Sequence, residues 1–216
     1  MQAEQRVRVG ACDVLLVGTI AGFAPDAERV RAAFASHAPD LLGLGVPAED
    51  LPTLHLLAEH PERAGELPDL DEAEAHFQVL LGRFGEASRI PSPDLEAAYQ
   101  AALAAGVPVE ALDLDDVSHS TSYTKGMKVR HLVMASRRRK KALKSSFPKA
   151  TDAYALAAQW DAALAAGPMR GLEREREAHM AQRIRELAAT RRSLLAIVPA
   201  ARLPGVAQAL ARPAEA

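Results

Sequence analysis

Along residues 172–210, LEREREAHMAQRIRELAATRRSLLAIVPAARLPGVAQAL, the apolar spacing changes from helical to continuous and back to helical. This predicts a helix, a strand over 193–198, a turn through PAARLPG and a last short helix from Pro204. At about 100° per residue, Met180, Ile184 and Leu187 form one stripe, and Glu173, Arg176 and Glu177 fall on that same stripe. A charge aimed inward is costly unless it is paired, hydrogen-bonded or facing a polar pocket. The first turns of this helix therefore either look into a cleft or form a frayed helix start, where glutamate also suits the dipole.

The rest of the chain alternates in the same way. Residues 12–18, CDVLLVG, read as a central strand. Pro25 and Asp26 then start a helix through residue 37, carried by Val30, Ala33 and Phe34, and DLLGLGV over 40–46 is a second strand. Residues 48–84 are helical in spacing but carry Pro52, Pro61 and Pro68, which predicts two or three short helices. Ser92, Pro93 and Asp94 start a helix that Gly106 ends before a strand over 107–112. SHSTSYTKG at 118–126 reads as a polar loop, and 127–144 as a basic helix with Met127, His131 and Met134 on one side. Thr151 or Asp152 opens a helix through 165, closed by Gly167 and Pro168. Strand, helix, strand units build parallel sheets, so the expected class is α/β: a mixed or mainly parallel sheet flanked by helices. Ligands gather at the carboxyl ends of such strands, which here means Gly18, Thr19 and Ala21 at one mouth and residues 45–49 at the next.

At 216 residues, 49% of them hydrophobic, one domain with a substantial core is expected. Cys12 is the sole cysteine, which excludes an internal disulfide and any multi-cysteine metal site. No apolar run nears the roughly 20 residues of a membrane span, and the first ten residues lack a signal-peptide core, so a soluble, cytoplasmic protein is expected. The net charge of −2 hides a segregation: no Asp or Glu lies between Asp116 and Asp152, whereas ten of the 26 Lys and Arg do. This basic segment, 125–149, is either a solvated face or a binder of phosphate backbones or acidic partners. With 4% aromatic residues and no recognisable module, nucleic acid is a possible partner without a motif behind it.

The seven histidines include no pair at helical metal-site spacing, and there is no P-loop, dinucleotide turn or nucleophile elbow. Asp113, Asp115 and Asp116 follow the 107–112 strand, where they either offer oxygens to a divalent cation or cap a helix. Glu72 with His76, and Glu175 with His179, have the spacing of surface helix pairs. Arg202 sits in the turn after the last strand; it is either a clamp for a carboxylate or phosphate or a solvent-facing loop residue.

Taken together, V-L-L-V-G-T-I at 14–20, E-R-E-x-x-M at 175–180 and a strand followed by L-P-G at 203–205 resemble the TraB/TIKI family, in order and approximate spacing, across most of the chain. Family members carry G-T-x-H after the first strand, an acidic residue after the second, a D-R pair, an E-R helix, and G-x-x-H before L-P-G. Here Ala21 and Arg202 stand in place of the two histidines, Gly45 or Val46 in place of the acid, and Leu114 follows Asp113 in place of arginine. Gly18, Thr19, Asp113, Glu175 and Arg176 persist.

The resemblance implies a single α/β domain over 1–216 of the EreA/ChaN/TraB-like kind and, in the family's active branches, a metal-dependent hydrolase. Neither a methyl group nor a guanidinium ligates a divalent cation. The leading expectation is thus a divergent, non-catalytic domain with no cofactor, no metal ligand and no catalytic residue. Its former active-site cleft, at Gly18, Thr19, Asp113, Glu175, Arg176 and Arg202, would bind an anionic small molecule or a protein partner, and homo-oligomers are possible. The alternatives are a hydrolase or peptidase with a site rebuilt from Asp113, Asp115, Asp116 and His119 or His131, and a polyanion binder acting through the basic segment.

Overall fold

The computed structural model describes residues 3–60, 63, 70–85, 92–126, 128–165 and 167–212. Its centre is the apolar run β2 (Cys12–Thr19), which pairs in parallel with the equally apolar β5 (Ser193–Pro199). On the far side of β5 lie β3 (Leu41–Leu44) and then β4 (Val109–Ala111), both parallel to it. β1 (Glu4–Val9) closes the other edge antiparallel to β2, giving the order β1-β2-β5-β3-β4. The α/β class and the mixed, mostly parallel sheet are as expected from the alternation.

Strands that are buried on both faces read as unbroken apolar runs rather than as alternation. Val14 and Leu16 of β2 face one layer, formed by α8 (Pro168–Ala188) and α9 (Leu203–Ala211), where Met180, Ile184 and Val206 are fully buried. Leu15 and Val17 face the other, formed by α1 (Pro25–His37), α2 (Leu51–Glu59) and α4 (Pro93–Ala105), against Val30, Phe34 and Ala98. A third cluster, containing Ile20, Phe23, Leu81, Phe147 and Leu156, lies past the carboxyl ends of β2 and β5. It joins α3 (Glu72–Leu81) to α7 (Ala153–Leu164), and Ala142 of α6 (Val129–Ala142) belongs to it.

Three local expectations change, and one element, β1, lies outside them. Residues 118–126 are not a loop: α5 (Asp116–Gly126) is helical because the Asp115 carboxylate accepts hydrogen bonds from the Ser118 N–H (2.7 Å) and hydroxyl (3.0 Å), a cap that offsets the weak helix propensity of Ser and Thr. The basic helix starts at Val129, and Met127 lies outside the described residues. Pro52 does not interrupt a helix but occupies the first turn of α2, where its missing N–H has no partner to lose; Pro61 and Pro68 lie outside the described residues. The amino-terminal EQRVRV is a strand, with Val7 and Val9 packed on the core and Arg6 and Arg8 turned outward. Among the described residues no helix is long and apolar enough to cross a membrane.

Candidate functional site

Parallel pairing sets Thr19 beside Pro199, so the turns leaving β2 and β5 are neighbours. Between them, α7 and the start of α8, a cavity of about 410 Å³ opens. Its lining combines the apolar Ile20, Phe77, Trp160, Leu164 and Met169 with the charged Asp161, Glu173, Arg176 and Arg202. Thr19 and Ala21 complete it at the sheet end. Glu173 and Arg176 of α8 thus face a cleft and are not a frayed start, since the helix begins at Pro168; Glu177, one turn on, lies against Arg202 outside the lining.

Their pairing is reciprocal. Arg176 forks onto Asp113, with Nε donating to Oδ1 at 3.2 Å and Nη2 donating to Oδ2. Its Nη1 donates to Glu173 Oε2 at 3.3 Å. The same glutamate oxygen lies 3.0 Å from Arg202 Nε, so Glu173 bridges the two guanidiniums. Arg202 also donates through Nη2 to Asp161 and through Nη1 to Glu177 at 3.4 Å. Two guanidiniums are therefore held among four carboxylates, and the Arg202 side chain is only 10% exposed. Burial, with the nearby Glu173 and Asp161 charges, pushes the Glu177 carboxyl above its ordinary range even with Arg202 beside it. Gly205 makes this contact possible, because a Cβ there would collide with the Glu177 carboxylate.

Of the expected site residues, Thr19, Arg176 and Arg202 line the cleft, and Asp113 lies behind it, buried, as the partner of Arg176. Gly18 is set back in β2, where a Cβ would come within 3.1 Å of the Ala200 Cα; its role is close approach of the two strand ends. Glu175 points away, accepting a hydrogen bond from the Ser122 hydroxyl of α5 at 2.8 Å. The remaining candidates disperse. Asp115 caps α5, and the Asp116 N–H donates to Glu49. His131 accepts from the Lys128 N–H at the start of α6. His76 lies against Trp160, and Glu175 pairs with α5 and not with His179. Among the described residues no three His, Cys, Asp or Glu side chains gather as a metal site.

Two features were not anticipated. Asp161 shares a helical stripe with Ala157, Trp160 and Leu164, the same charge-on-apolar-stripe signal that marks Glu173. Behind the sheet end, two buried aspartates pin the turn after β2. Asp26 accepts from the Ile20 N–H (2.7 Å) and the Tyr154 hydroxyl (2.5 Å), with Arg29 at 3.1 Å. Asp94 accepts from the Ser92 hydroxyl and is hydrogen-bonded to Thr19, while Ser92 Oγ receives the Gly22 N–H at 2.7 Å. Burial pushes both carboxyls above the ordinary aspartate value. Set against protein-family models and curated proteins, the chain matches none.

Proposed function

We propose that the protein is a non-catalytic binding domain whose cleft takes a small amphipathic molecule, with its apolar part against Trp160 and Phe77 and its polar end at Asp161 and Glu173. Support for a TraB-like origin is the sequence resemblance, and support for the loss of catalysis is that Ala21 and Arg202 occupy the imidazole positions, where neither side chain ligates a metal. Two inward arginines by themselves favour an anionic ligand. Four carboxylates already bound to them reverse the sign, and this observation carries the reading. An anion would have to displace a carboxylate, because every guanidinium nitrogen of Arg202 and Arg176 already faces one. The cavity lining itself is balanced, Asp161 and Glu173 against Arg176 and Arg202, and the negative excess that favours a cation comes from Asp113 and Glu177 behind it. Trp160, packed against Phe77 with ring centroids 5.2 Å apart, adds aromatic surface for the apolar part of the ligand.

The test is a matched pair of probes with one hydrocarbon body, 2-phenylethylamine and 3-phenylpropanoate, titrated by calorimetry. The amine is expected to bind and the acid not. Asp161→Asn is expected to weaken the amine about tenfold, the effect of removing one charge-assisted contact. Preferential binding of the acid would refute the assigned sign.

A further inference from the structure

The basic segment contributes nothing to the cleft, yet it holds the largest unpartnered apolar face among the described residues. On α6, Val129 is 77% exposed, Val133 47% and Leu132 40%; Met134 lies about 140° round the helix from Val129, outside this face. Val129, Leu132 and Val133 stand at i, i+3 and i+4, so they form one patch within about 100° of the helix circumference. The opposite face holds Ala135, half-buried, and Ala142, which packs into the cluster with α7. α6 therefore uses its small residues to dock on the fold and turns its large apolar ones outward. Arg130, Arg137 and Lys141 run along one flank of the patch, and Lys140 continues it by one more turn. All four are exposed. Arg139, on the other flank, pairs with Asp71 at 3.0 Å. No acidic residue occurs from 117 to 151.

We propose that α6 is an interfacial helix that docks this protein on an anionic lipid bilayer. Phosphate backbones of nucleic acid would engage the cations but leave Val129, Leu132 and Val133 in water. A bilayer surface satisfies both sets at once, since acyl chains receive the apolar patch while anionic headgroups face the flanking guanidiniums and ammoniums. No residue of the cleft is involved, so the proposal stands or falls independently of ligand binding.

Co-sedimentation of the full chain with vesicles tests it, using phosphatidylserine and phosphatidylcholine in equal parts and phosphatidylcholine alone. Binding to the anionic vesicles only, falling as salt is raised, is expected. The variant R137Q/K140Q/K141Q is expected to bind about a hundredfold more weakly, at about fivefold for each cation removed. V129S/L132S/V133S is expected to lose at least about tenfold. All six positions are exposed, so folding is retained; Val129→Ser alone, at the most exposed site, serves as a second apolar variant. Three results overturn the proposal: no binding to anionic vesicles; binding that ignores both apolar variants while RNA competes it away; or a self-associating chain whose dimer, and not its vesicle binding, disappears in V129S/L132S/V133S.

Discussion

Replacing Arg202 by alanine tests whether the cleft network is assembled as described. The side chain is 10% exposed and faces Asp161, Glu173 and Glu177, which are themselves only 24%, 14% and 17% exposed. Deleting one partner of a buried pair leaves the other charge uncompensated, at about 3–5 kcal/mol. Here three carboxylates lose a shared cation, while solvent reaching Asp161 through the cleft softens the effect, so about 3 kcal/mol is the working figure. For a domain of this size that is a fall in Tm of about 6–12 °C, read by calorimetry or circular dichroism. Arg202→Lys keeps the charge but an ammonium cannot fork to three carboxylates, and about half the loss is expected. The pH dependence carries the sign. Glu177 already sits above its ordinary value through burial, and without Arg202 it rises further. A carboxyl whose folded pKa exceeds its unfolded pKa leaves the folded chain holding more protons, so stability falls as pH climbs from the ordinary value of 4.5 through the raised one. The Arg202→Ala deficit should therefore shrink from pH 7 to pH 5. A loss below about 1 kcal/mol, or a deficit that grows on acidification, would refute the buried network.

The buried aspartates behind the turn give a second pH signature. Asp26 and Asp94 are both raised above 3.8 by burial, so by the same sign they make the protein less stable as pH rises past that value. Asp94→Asn should change stability by less than about 1 kcal/mol at neutral pH and flatten the slope of urea midpoint against pH, since an amide keeps an acceptor without the charge. Asp26→Ala orphans the Ile20 N–H and the Tyr154 hydroxyl and should cost about 2–4 kcal/mol in urea unfolding. Gly205→Ala should push the Glu177 carboxylate off Arg202, while the better helix propensity of alanine in α9 offsets part of the loss, so Tm should fall by about 2–4 °C at most with a normal far-ultraviolet spectrum. Trp160 is the sole tryptophan and lines the cavity, so 2-phenylethylamine should shift its fluorescence, and Asp161→Asn should raise the amine concentration needed about tenfold.

Much of the fold was legible because buried strands and amphipathic helices leave different apolar periods. The strands at 12–18, 40–46, 107–112 and 193–198 all appear, each shifted by a few residues at most. What was hidden is what periodicity does not encode. β1 is a half-buried edge whose alternation holds only two valines. α5 is specified by one cap, and its Ser and Thr run reads as coil until the Asp115 oxygens are seen on Ser118. In the site, charges on the apolar stripe of α8 were enough to locate a cleft. Its electrostatics were not legible, because Asp113, Asp161 and Arg202 come from three separate segments and only the tertiary fold brings their charges together.

That convergence also explains why positions 21 and 202 belong together. Thr19 pairs with Pro199, so the residues just past each strand end face one cavity. A cation placed at 202 in such a pocket must find counter-charge, and α8 supplies it from consecutive turns, Glu173 and Glu177, while α7 supplies Asp161. Once those acids are committed, Glu173 holds Arg176 as well, and Arg176 holds Asp113. Neither arginine can be removed singly without stranding buried carboxylates: Asp161 and Glu177 for Arg202, Asp113 for Arg176. The double variant Arg202→Met with Asp161→Leu should therefore lose less than the sum of its parts by about 1–3 kcal/mol in a double-mutant cycle, because the second change removes a carboxylate that the first leaves unpaired. Additive losses would mean that Arg202 and Asp161 are not energetically coupled and would break the chain of dependence at its first link.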